Sequence, residues 1–349
     1  MEQHELNKIR VSAGTASVLG LSPILSLDEP TCAYVMVGER CTRDCAFCAQ
    51  SRSSAAASDK LSRITWPEFA AADLACALHA AASNGRIRRA CMQVVGSPGA
   101  FDKSLSAVRL LKSAVGPSIP VSVSYSATAT VEQVAALIEA GADRVALPID
   151  ASNEELHRNI KGYDMSRSLG LIQECASRFP ARISTHIIAG LGETEEEIIS
   201  VAASMYQQGV TVGLFAFTPL PGTRLASRQP PDVGSYRRIQ LCLYLLRQAC
   251  AGAGQARPSF AFSSGRLTRI TLSGPQTEFA SLSGAPFETS GCPGCNRPYY
   301  NERPGRIPYN YPRPLSPAEA ADALATALDG VAVTCTKPGG ADDGRSAVR

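Results

Sequence analysis

Three cysteines lie within eight positions of the sequence, in the stretch CTRDCAFCAQ at residues 41 to 50. Cys41 is separated from Cys45 by three residues, and Cys45 from Cys48 by two. Three thiolates on one short loop can bind three corners of an iron–sulfur cluster, and without a fourth cysteine nearby one iron keeps an open position. The spacing therefore predicts a cluster whose free iron can bind a further ligand.

Other uses of the three thiols fit the sequence less well. A structural zinc ion takes four closed ligands, and the histidines nearest to this loop in sequence are His4 and His79. A cysteine nucleophile needs one thiol and a base rather than three thiols. Chance clustering in a chain with 12 cysteines is the remaining alternative.

The composition is that of a chain of 349 residues, 45% hydrophobic, which can bury a large core. Its net charge of +3 and its aromatic content of 6% argue against a nucleic-acid surface. No apolar run approaches the roughly 20 residues of a membrane helix, and the N-terminus lacks a secretory pattern. We expect a cytoplasmic protein without nucleic-acid or membrane partners, whose cysteines are ligands or core residues rather than disulfides.

Short apolar runs alternate with longer amphipathic stretches from residue 31 onward. The strand-like runs are residues 33–38, 91–96, 121–126, 144–150, 182–190 and 211–220. Repeated βα units with continuous apolar strands predict an α/β fold, a partial or complete βα barrel, with a doubly wound open sheet as the alternative. In either fold the loops after the strands carry the chemistry, and the three cysteines lie in the first such loop. Thr65 and Glu68 have the spacing of a capping box at the start of the first helix.

Composition divides the chain into four parts. Residues 1–30 are a short helical or irregular lead-in, and residues 31–270 contain the βα units. Residues 271–335 form a C-terminal extension that includes a segment rich in proline, tyrosine and arginine. We expect residues 336–349 to be a disordered tail.

The cysteine motif, its place after the first strand and the βα alternation resemble the radical S-adenosylmethionine (SAM) superfamily. The resemblance implies that Cys41, Cys45 and Cys48 hold a 4Fe-4S cluster whose open iron binds the amino and carboxylate groups of SAM. An electron then cleaves SAM to methionine and a 5′-deoxyadenosyl radical, which takes hydrogen from an unactivated carbon. The protein orients the cofactor and excludes water.

The same resemblance implies SAM contacts near the ends of the strands. Phe47 lies between the last two motif cysteines, and Gln93 ends the second strand, where the superfamily contacts the methionine amino group. Gly190 and Glu193 belong to HIIAGLGETEEE, which is similar to the motif that shapes the adenine side of the pocket. Asp150 follows the fourth strand, where relatives hold the ribose hydroxyls, and a helix N-cap is its alternative role.

Within the superfamily, MVGERCTRDCAFC is similar to lipoyl synthases and the following CAQS to biotin synthases. Both insert sulfur at saturated carbon, and each usually carries a second cluster as the sulfur donor. Ungapped matching finds Cys91 at one second-cluster position of biotin synthases, with Val123, Ser184 and Ala261 at the others. The cysteines that lipoyl synthases carry ahead of the radical motif are absent except for Cys32.

The remaining candidates are Cys292 and Cys295, separated only by Pro and Gly. Such a turn directs two thiolates at one metal, and a zinc knuckle or a redox dithiol is the alternative. SGCPGCNRPYYNERP also resembles the C-terminal part of the split, two-protein lipoyl synthases, in a similarity over residues 30 to 315. The resemblance implies that both cysteines bind an auxiliary iron–sulfur cluster. Cys32 lies about 20 Å from the Cys41 loop at 3.3 Å per strand residue, which favours a deep core thiol.

This resemblance predicts sulfur insertion into an octanoyl chain on a lipoyl-domain or glycine-cleavage carrier protein. It implies a second related radical SAM enzyme as partner, and ferredoxin or flavodoxin as electron donor. Dethiobiotin or another small molecule is the alternative substrate, and a structural metal-binding protein is the alternative of another class. The Arg-rich residues 297–313 suit an acidic carrier domain, and a solvated face explains the same charges.

Overall fold

The computed structural model describes residues 6–23, 27–126, 128–252, 258–273, 283–302 and 305–336. The strands are β1 (Lys8–Val11), β2 (Cys32–Val37), β3 (Lys60–Leu61), β4 (Ile64–Thr65), β5 (Glu68–Ala70), β6 (Arg89–Val94), β7 (Val121–Ser124), β8 (Arg144–Ala146), β9 (Ile183–Ala189), β10 (Thr211–Ala216), β11 (Ser259–Ser263), β12 (Arg266–Ser273) and β13 (Ala332–Thr336). The helices are α1 (Ala13–Val18), α2 (Ala71–Ser83), α3 (Ala100–Val115), α4 (Val131–Glu139), α5 (Glu154–Lys161), α6 (Met165–Arg178), α7 (Glu195–Gln207), α8 (Val233–Ala251) and α9 (Pro317–Leu328). None of the helices in these ranges is long and apolar enough to cross a membrane.

The central sheet confirms the predicted α/β fold with a partial barrel. Within the described residues its strand order is β10-β9-β8-β7-β6-β2-β1-β5, and the six strands from β10 to β2 are parallel. These strands read as continuous apolar runs because helices cover one face and barrel side chains fill the other. β10 and β5 lie at the two edges of the sheet, so the barrel is open in the described part of the chain.

The lead-in contains a strand that the sequence does not predict. β1 pairs antiparallel with both β2 and β5, and so extends the sheet at its antiparallel edge. Helix α1 follows directly, with the Ser12 hydroxyl accepting a hydrogen bond from the Thr15 amide. A strand of only four residues is too short to give a periodic signal, so the expectation of a helical or irregular segment was incomplete.

The predicted capping box at Thr65 and Glu68 is wrong. Thr65 ends β4 and Glu68 begins β5, whereas α2 begins at Ala71 without a side-chain cap. Glu68 pairs with Arg10 of β1 across the sheet edge. This long-range pairing outweighs the local helical signal.

The C-terminal part of the chain forms a second, smaller sheet and a long crossing segment. β11, β12 and β13 form this sheet, so residues 259–270 lie outside the barrel sheet although the predicted barrel region includes them. The crossing segment, described at residues 283–302 and 305–316, passes the ends of the barrel strands where β2 and β6 begin. There Thr31 Oγ1, just before β2, donates to Gly294 O at 2.9 Å, and Arg89 Nε, at the start of β6, donates to Pro293 O at 2.8 Å. The predicted tail, residues 336–349, lies outside the described residues except for the last residue of β13.

A buried ion pair joins α7, α8 and β12. Arg238 Nε donates to both carboxylate oxygens of Glu195, at 2.9 and 3.1 Å, and the Leu267 amide donates to the same carboxylate at 2.8 Å. The side chains of Arg238 and Glu195 are only 7% and 6% exposed. Loss of either partner would leave an uncompensated buried charge.

We expect Arg238→Met to lower the free energy of unfolding of the apoprotein by about 3–5 kcal/mol, because the Glu195 carboxylate loses its counter-charge. Arg158→Met is the control, since Arg158 pairs with Glu154 and Asp164 on the exposed surface, and it should cost less than about 1 kcal/mol. Urea unfolding followed by circular dichroism measures both values. Equal losses in the two variants would contradict the role of the buried pair.

Candidate active site

The three motif cysteines lie together on the loop after β2, at the C-terminal end of the barrel. The Cys41 amide donates to Gln50 O at 2.9 Å and the Cys48 amide to Cys45 O at 3.2 Å, which folds the loop into tight turns. Gly96 lies beside the first thiol, where a Cβ would come within 3.3 Å of the Cys41 sulfur. The absence of a side chain at Gly96 therefore keeps the space next to Cys41 open.

Arg40 gives this loop its shape. Its guanidinium donates to the carbonyl oxygens of Ala49, Ser54 and Ala56 at 2.9–3.0 Å. A guanidinium can hold several carbonyls at once because its N–H donors form a rigid fork. The sequence prediction missed Arg40, although its position directly before Cys41 is the signal that marks it.

The thiols of the loop interact with one another. Burial raises the pKa of Cys45 to about 11, and the Cys41 thiol adds to that shift. Burial also raises the pKa of Cys48 to about 12, with Cys45 and Cys41 adding to it. Thiols this close fit a cluster that binds several thiolates, in which iron takes the place of the protons.

Asp150 lies near this loop, four residues after β8, where it forms an isolated bridge with Ile187 of β9. Its carboxylate forms a buried ion pair with Lys161, with 2.6 Å between Nζ and Oδ2, and it lines the barrel cavity. The alternative role as a helix N-cap is wrong, because Asn153 caps α5 by accepting a hydrogen bond from the Leu156 amide at 2.8 Å. The backbone of Asp150 has φ 63°, a conformation that few residues other than glycine adopt.

Gly190 and Glu193 form a tight turn after β9. The Glu193 carboxylate accepts hydrogen bonds from the Gly190 and Leu191 amides, and burial raises its pKa. Gly190 has φ 103°, and a Cβ there would lie 2.8 Å from Pro231, so the position requires glycine. Both residues shape the rim of the barrel, and their contact with SAM stays a prediction.

One cavity of about 200 Å³ runs through the barrel. Phe47 and Cys48 line it near the motif loop, and Cys91, Cys292 and Cys295 line it elsewhere. Apolar side chains of the cavity wall come from β3, β9, β10 and the loop after β10, at Leu61, Ile188, Phe215, Ala216, Phe217 and Leu220. The cavity therefore joins two separate groups of cysteines.

The second group contains four cysteines, at the end of the barrel where β2 and β6 begin. Cys32 starts β2 and Cys91 lies on β6, while Cys292 and Cys295 come from the crossing segment. Burial and the thiols of Cys295 and Cys91 raise the pKa of Cys32. Burial and the same two thiols raise the pKa of Cys292. Four thiols from three distant parts of the chain thus lie close enough to interact.

Cys295 differs from the other thiols of this group. A hydrogen bond from Cys32 lowers the pKa of Cys295 to about 6 against the effect of burial, and Arg297 and Tyr34 lower it further. A lowered pKa favours the thiolate form of Cys295, which is the form that binds metals.

The structure places Cys292 and Cys295 side by side, with the Cys295 amide donating to Cys292 O at 3.2 Å. The structure also brings Cys91 into this group. Cys32 lies deep in the barrel, as its distance along the strand from the Cys41 loop predicts. The sequence raises Cys32 as a further ligand of the second cluster but favours a core thiol, because Cys292 and Cys295 come from a segment about 260 residues later. Metal binding by this group stays a prediction.

Neither group resembles a site for one ion. Across the described ranges, no three or more His, Cys, Asp or Glu side chains are arranged to hold a single metal ion. A zinc ion draws thiolates to about 2.3 Å. A four-iron cluster takes one thiolate on each iron, so its ligands surround a larger volume.

Comparison with known proteins adds family information. Residues 35–205 match the family model of the radical SAM superfamily. A comparison with curated protein sequences found no match. Among solved structures, the FeFe-hydrogenase maturase HydG aligns with a TM-score of 0.51 and 12% identity, over 62% of this chain and 50% of that one.

Two further structures align less well. HydG from Carboxydothermus hydrogenoformans has a TM-score of 0.48 and 15% identity, over 87% of this chain and 67% of that one. Methylornithine synthase (PylB) has a TM-score of 0.47 and 15% identity, over 62% of each chain. This chain spans only half of the first HydG chain and 62% of methylornithine synthase. The alignment with the first HydG chain supports the fold alone.

We expect Cys45→Ala to lower 5′-deoxyadenosine formation from SAM about 100-fold or more, because two thiolates do not hold a cluster that needs three. Cys76→Ala is the control, since Cys76 is an exposed thiol on α2. Anaerobic assays with dithionite and reconstituted protein measure the product by mass spectrometry. Undiminished product from Cys45→Ala would show that the motif loop does not bind the catalytic cluster.

Proposed function

We propose that the protein is a sulfur-inserting enzyme of the lipoyl synthase type. Residues 35–205 form a radical SAM superfamily domain, which implies a 4Fe-4S cluster and SAM. Its substrate is an octanoyl chain on a lipoyl-domain or glycine-cleavage carrier protein. The observation that carries the proposal is the second cysteine group, which lines the same cavity as the motif loop.

The motif loop holds the catalytic cluster in this proposal. Cys41, Cys45 and Cys48 would hold three irons of a cluster that would supply the electron for SAM cleavage. Asp150 is oriented by its 2.6 Å ion pair with Lys161 and accepts the ribose hydroxyls of SAM. Phe47 and the turn after β9 enclose the adenosyl group and exclude water.

The second group holds an auxiliary iron–sulfur cluster in this proposal. Cys32, Cys91, Cys292 and Cys295 would each offer one thiolate to a cluster that would supply the sulfur for the activated carbon. Cationic side chains nearby offset the negative charge: Arg297 and Arg89 both lower the pKa of Cys295. Thiolates that are buried away from water need nearby positive charge to offset their desolvation.

The separation of the two groups suits a substrate held between them. Gly96 lies beside the Cys41 thiol, and Cys91 is five positions earlier on the same chain segment. At about 3.3 Å per extended residue, the backbone distance between Cys91 and Gly96 is at most roughly 16 Å. The apolar wall formed by Ile188, Phe215 and Phe217 suits a hydrocarbon chain in that interval.

Dethiobiotin or another small molecule is the second candidate substrate. Ser184 and His186 face the same cavity from β9 and suit a ligand with polar groups. Burial lowers the pKa of His186 to about 4, so its imidazole is uncharged at neutral pH. The alternative of a purely structural metal-binding protein is disfavoured by the radical SAM domain.

A second related radical SAM enzyme, and ferredoxin or flavodoxin as electron donor, complete the proposal. Two arginines of the Arg-rich residues 297–313 make contacts within the chain. Arg297 lines the cavity, where its guanidinium lies 4.0 Å from the centre of the Phe215 ring. Arg313 is paired with Glu319 at 2.9 Å.

We expect Cys292→Ala to retain 5′-deoxyadenosine formation and to lose sulfur transfer to the octanoylated carrier. Iron should fall from about eight to about four per chain, because only the auxiliary cluster is lost. Cys250→Ala is the control, since Cys250 is an exposed thiol at the end of α8. The assay follows carrier mass, 5′-deoxyadenosine and iron content together, with the partner enzyme added in a parallel reaction.

Sulfur added to dethiobiotin, and not to the carrier, would move the assignment to the second candidate. Full sulfur transfer by Cys292→Ala would contradict the role of the auxiliary cluster. SAM cleavage with about four irons in the unaltered protein would limit the chain to radical chemistry without a second cluster.

A further inference from the structure

We propose that Tyr34, Gln93 and Ser122 donate hydrogen bonds to the thiolates of the second cysteine group and thereby raise the reduction potential of the cluster bound there. The inference rests on the proposed function, because it requires that cluster. The three donors lie on three different strands, β2, β6 and β7, and each contacts a different cysteine. The barrel wall itself thus forms the polar surroundings of the cluster.

Tyr34 contacts Cys295, with 3.1 Å between Oη and Sγ. The same oxygen accepts a hydrogen bond from the Arg297 amide at 3.2 Å. Because that lone pair is engaged, the phenolic proton is directed at the sulfur. The ring is only 2% exposed and packs 5.3 Å from the centre of the Tyr300 ring, so the donor is held in place.

Ser122 contacts Cys292 in the same manner, with 3.7 Å between Oγ and Sγ. Arg89 Nη1 donates to the Ser122 hydroxyl oxygen at 2.8 Å, so the hydroxyl proton is left for the sulfur. The guanidinium also polarises the hydroxyl and makes it a stronger donor. Because Arg89 holds Pro293 O at 2.8 Å, it fixes the turn that carries the cysteine as well.

Gln93 contacts Cys91 with its amide nitrogen, at 3.3 Å from the sulfur. The two residues are two positions apart on β6, so both side chains face the cavity. A side-chain amide nitrogen is a donor and not an acceptor, so Gln93 donates this hydrogen bond and the Cys91 sulfur accepts it. Gln93, implied by family resemblance as a SAM contact, thus reaches the second cysteine group.

Hydrogen bonds to the sulfurs raise the potential of an iron–sulfur cluster, because they stabilise the extra negative charge of the reduced form. If each bond strengthens on reduction by about the net strength of one hydrogen bond, its loss lowers the equilibrium constant for reduction about tenfold. For a one-electron couple this fold-change equals a shift of about 59 mV. Removal of each donor should therefore lower the potential measurably.

The test uses the full chain with Cys41, Cys45 and Cys48 replaced by alanine, so that only the second cluster remains. Tyr34→Phe and Ser122→Ala are introduced into this background. After anaerobic reconstitution, a potentiometric titration monitored by electron paramagnetic resonance measures the midpoint potential. We expect each variant to keep about four irons and to be reduced with an equilibrium constant about tenfold smaller.

Tyr244→Phe is the matched control, because Tyr244 lies on α8 and its hydroxyl accepts a hydrogen bond from Gln248. It should leave the potential unchanged. Unchanged potentials in Tyr34→Phe and Ser122→Ala, with full iron content, would overturn the inference and leave the second cluster in place. Loss of iron in both variants would also overturn it, by showing that these groups assemble the cluster and do not tune it. The absence of any cluster in the alanine background would instead overturn the proposed function.

Discussion

The second cysteine group depends on one buried cation, Arg237 of α8. Its side chain is 1% exposed, donates to the carbonyl oxygens of Pro308 and Tyr309, and lies 5.5 Å from the centre of the Phe287 ring. Burial lowers the pKa of the guanidinium, and these acceptors compensate for the lost water. The anchor fixes the crossing segment on both sides of its CPGC turn. The anchor thereby places the thiols of Cys292 and Cys295 at the end of the barrel where β2 and β6 begin.

Parallel strands give a barrel two chemically different ends. In βα barrels the loops at the C-terminal ends of the strands carry the chemistry, and the motif loop with Cys41 follows that rule. In this chain the crossing segment also brings two cysteines to the opposite end of the barrel, where Cys32 begins β2 and Cys91 lies on β6. A substrate within the cavity can then lie between a radical source and a sulfur source. The geometry of the barrel, more than any single residue, supports the proposed chemistry.

The sequence predicts most of the barrel and the first cysteine group, because both leave local signals. Continuous apolar runs mark the parallel strands, and Cys41 lies only seven positions from Cys48. Features that depend on contacts between residues far apart in the sequence leave no such signal. Glu68 has the spacing of a helix cap, yet it pairs with β1, and Asp150 pairs with Lys161 rather than capping a helix. The four cysteines of the second group likewise come together only in the folded chain.

The most direct test of two clusters in one barrel is anomalous diffraction at the iron edge, from crystals of the reconstituted protein grown without oxygen. We expect two iron sites, one beside Gly96 and the other among Cys32, Cys91, Cys292 and Cys295, at opposite ends of the barrel. Iron at the motif loop alone, or zinc at the second group, would contradict this expectation.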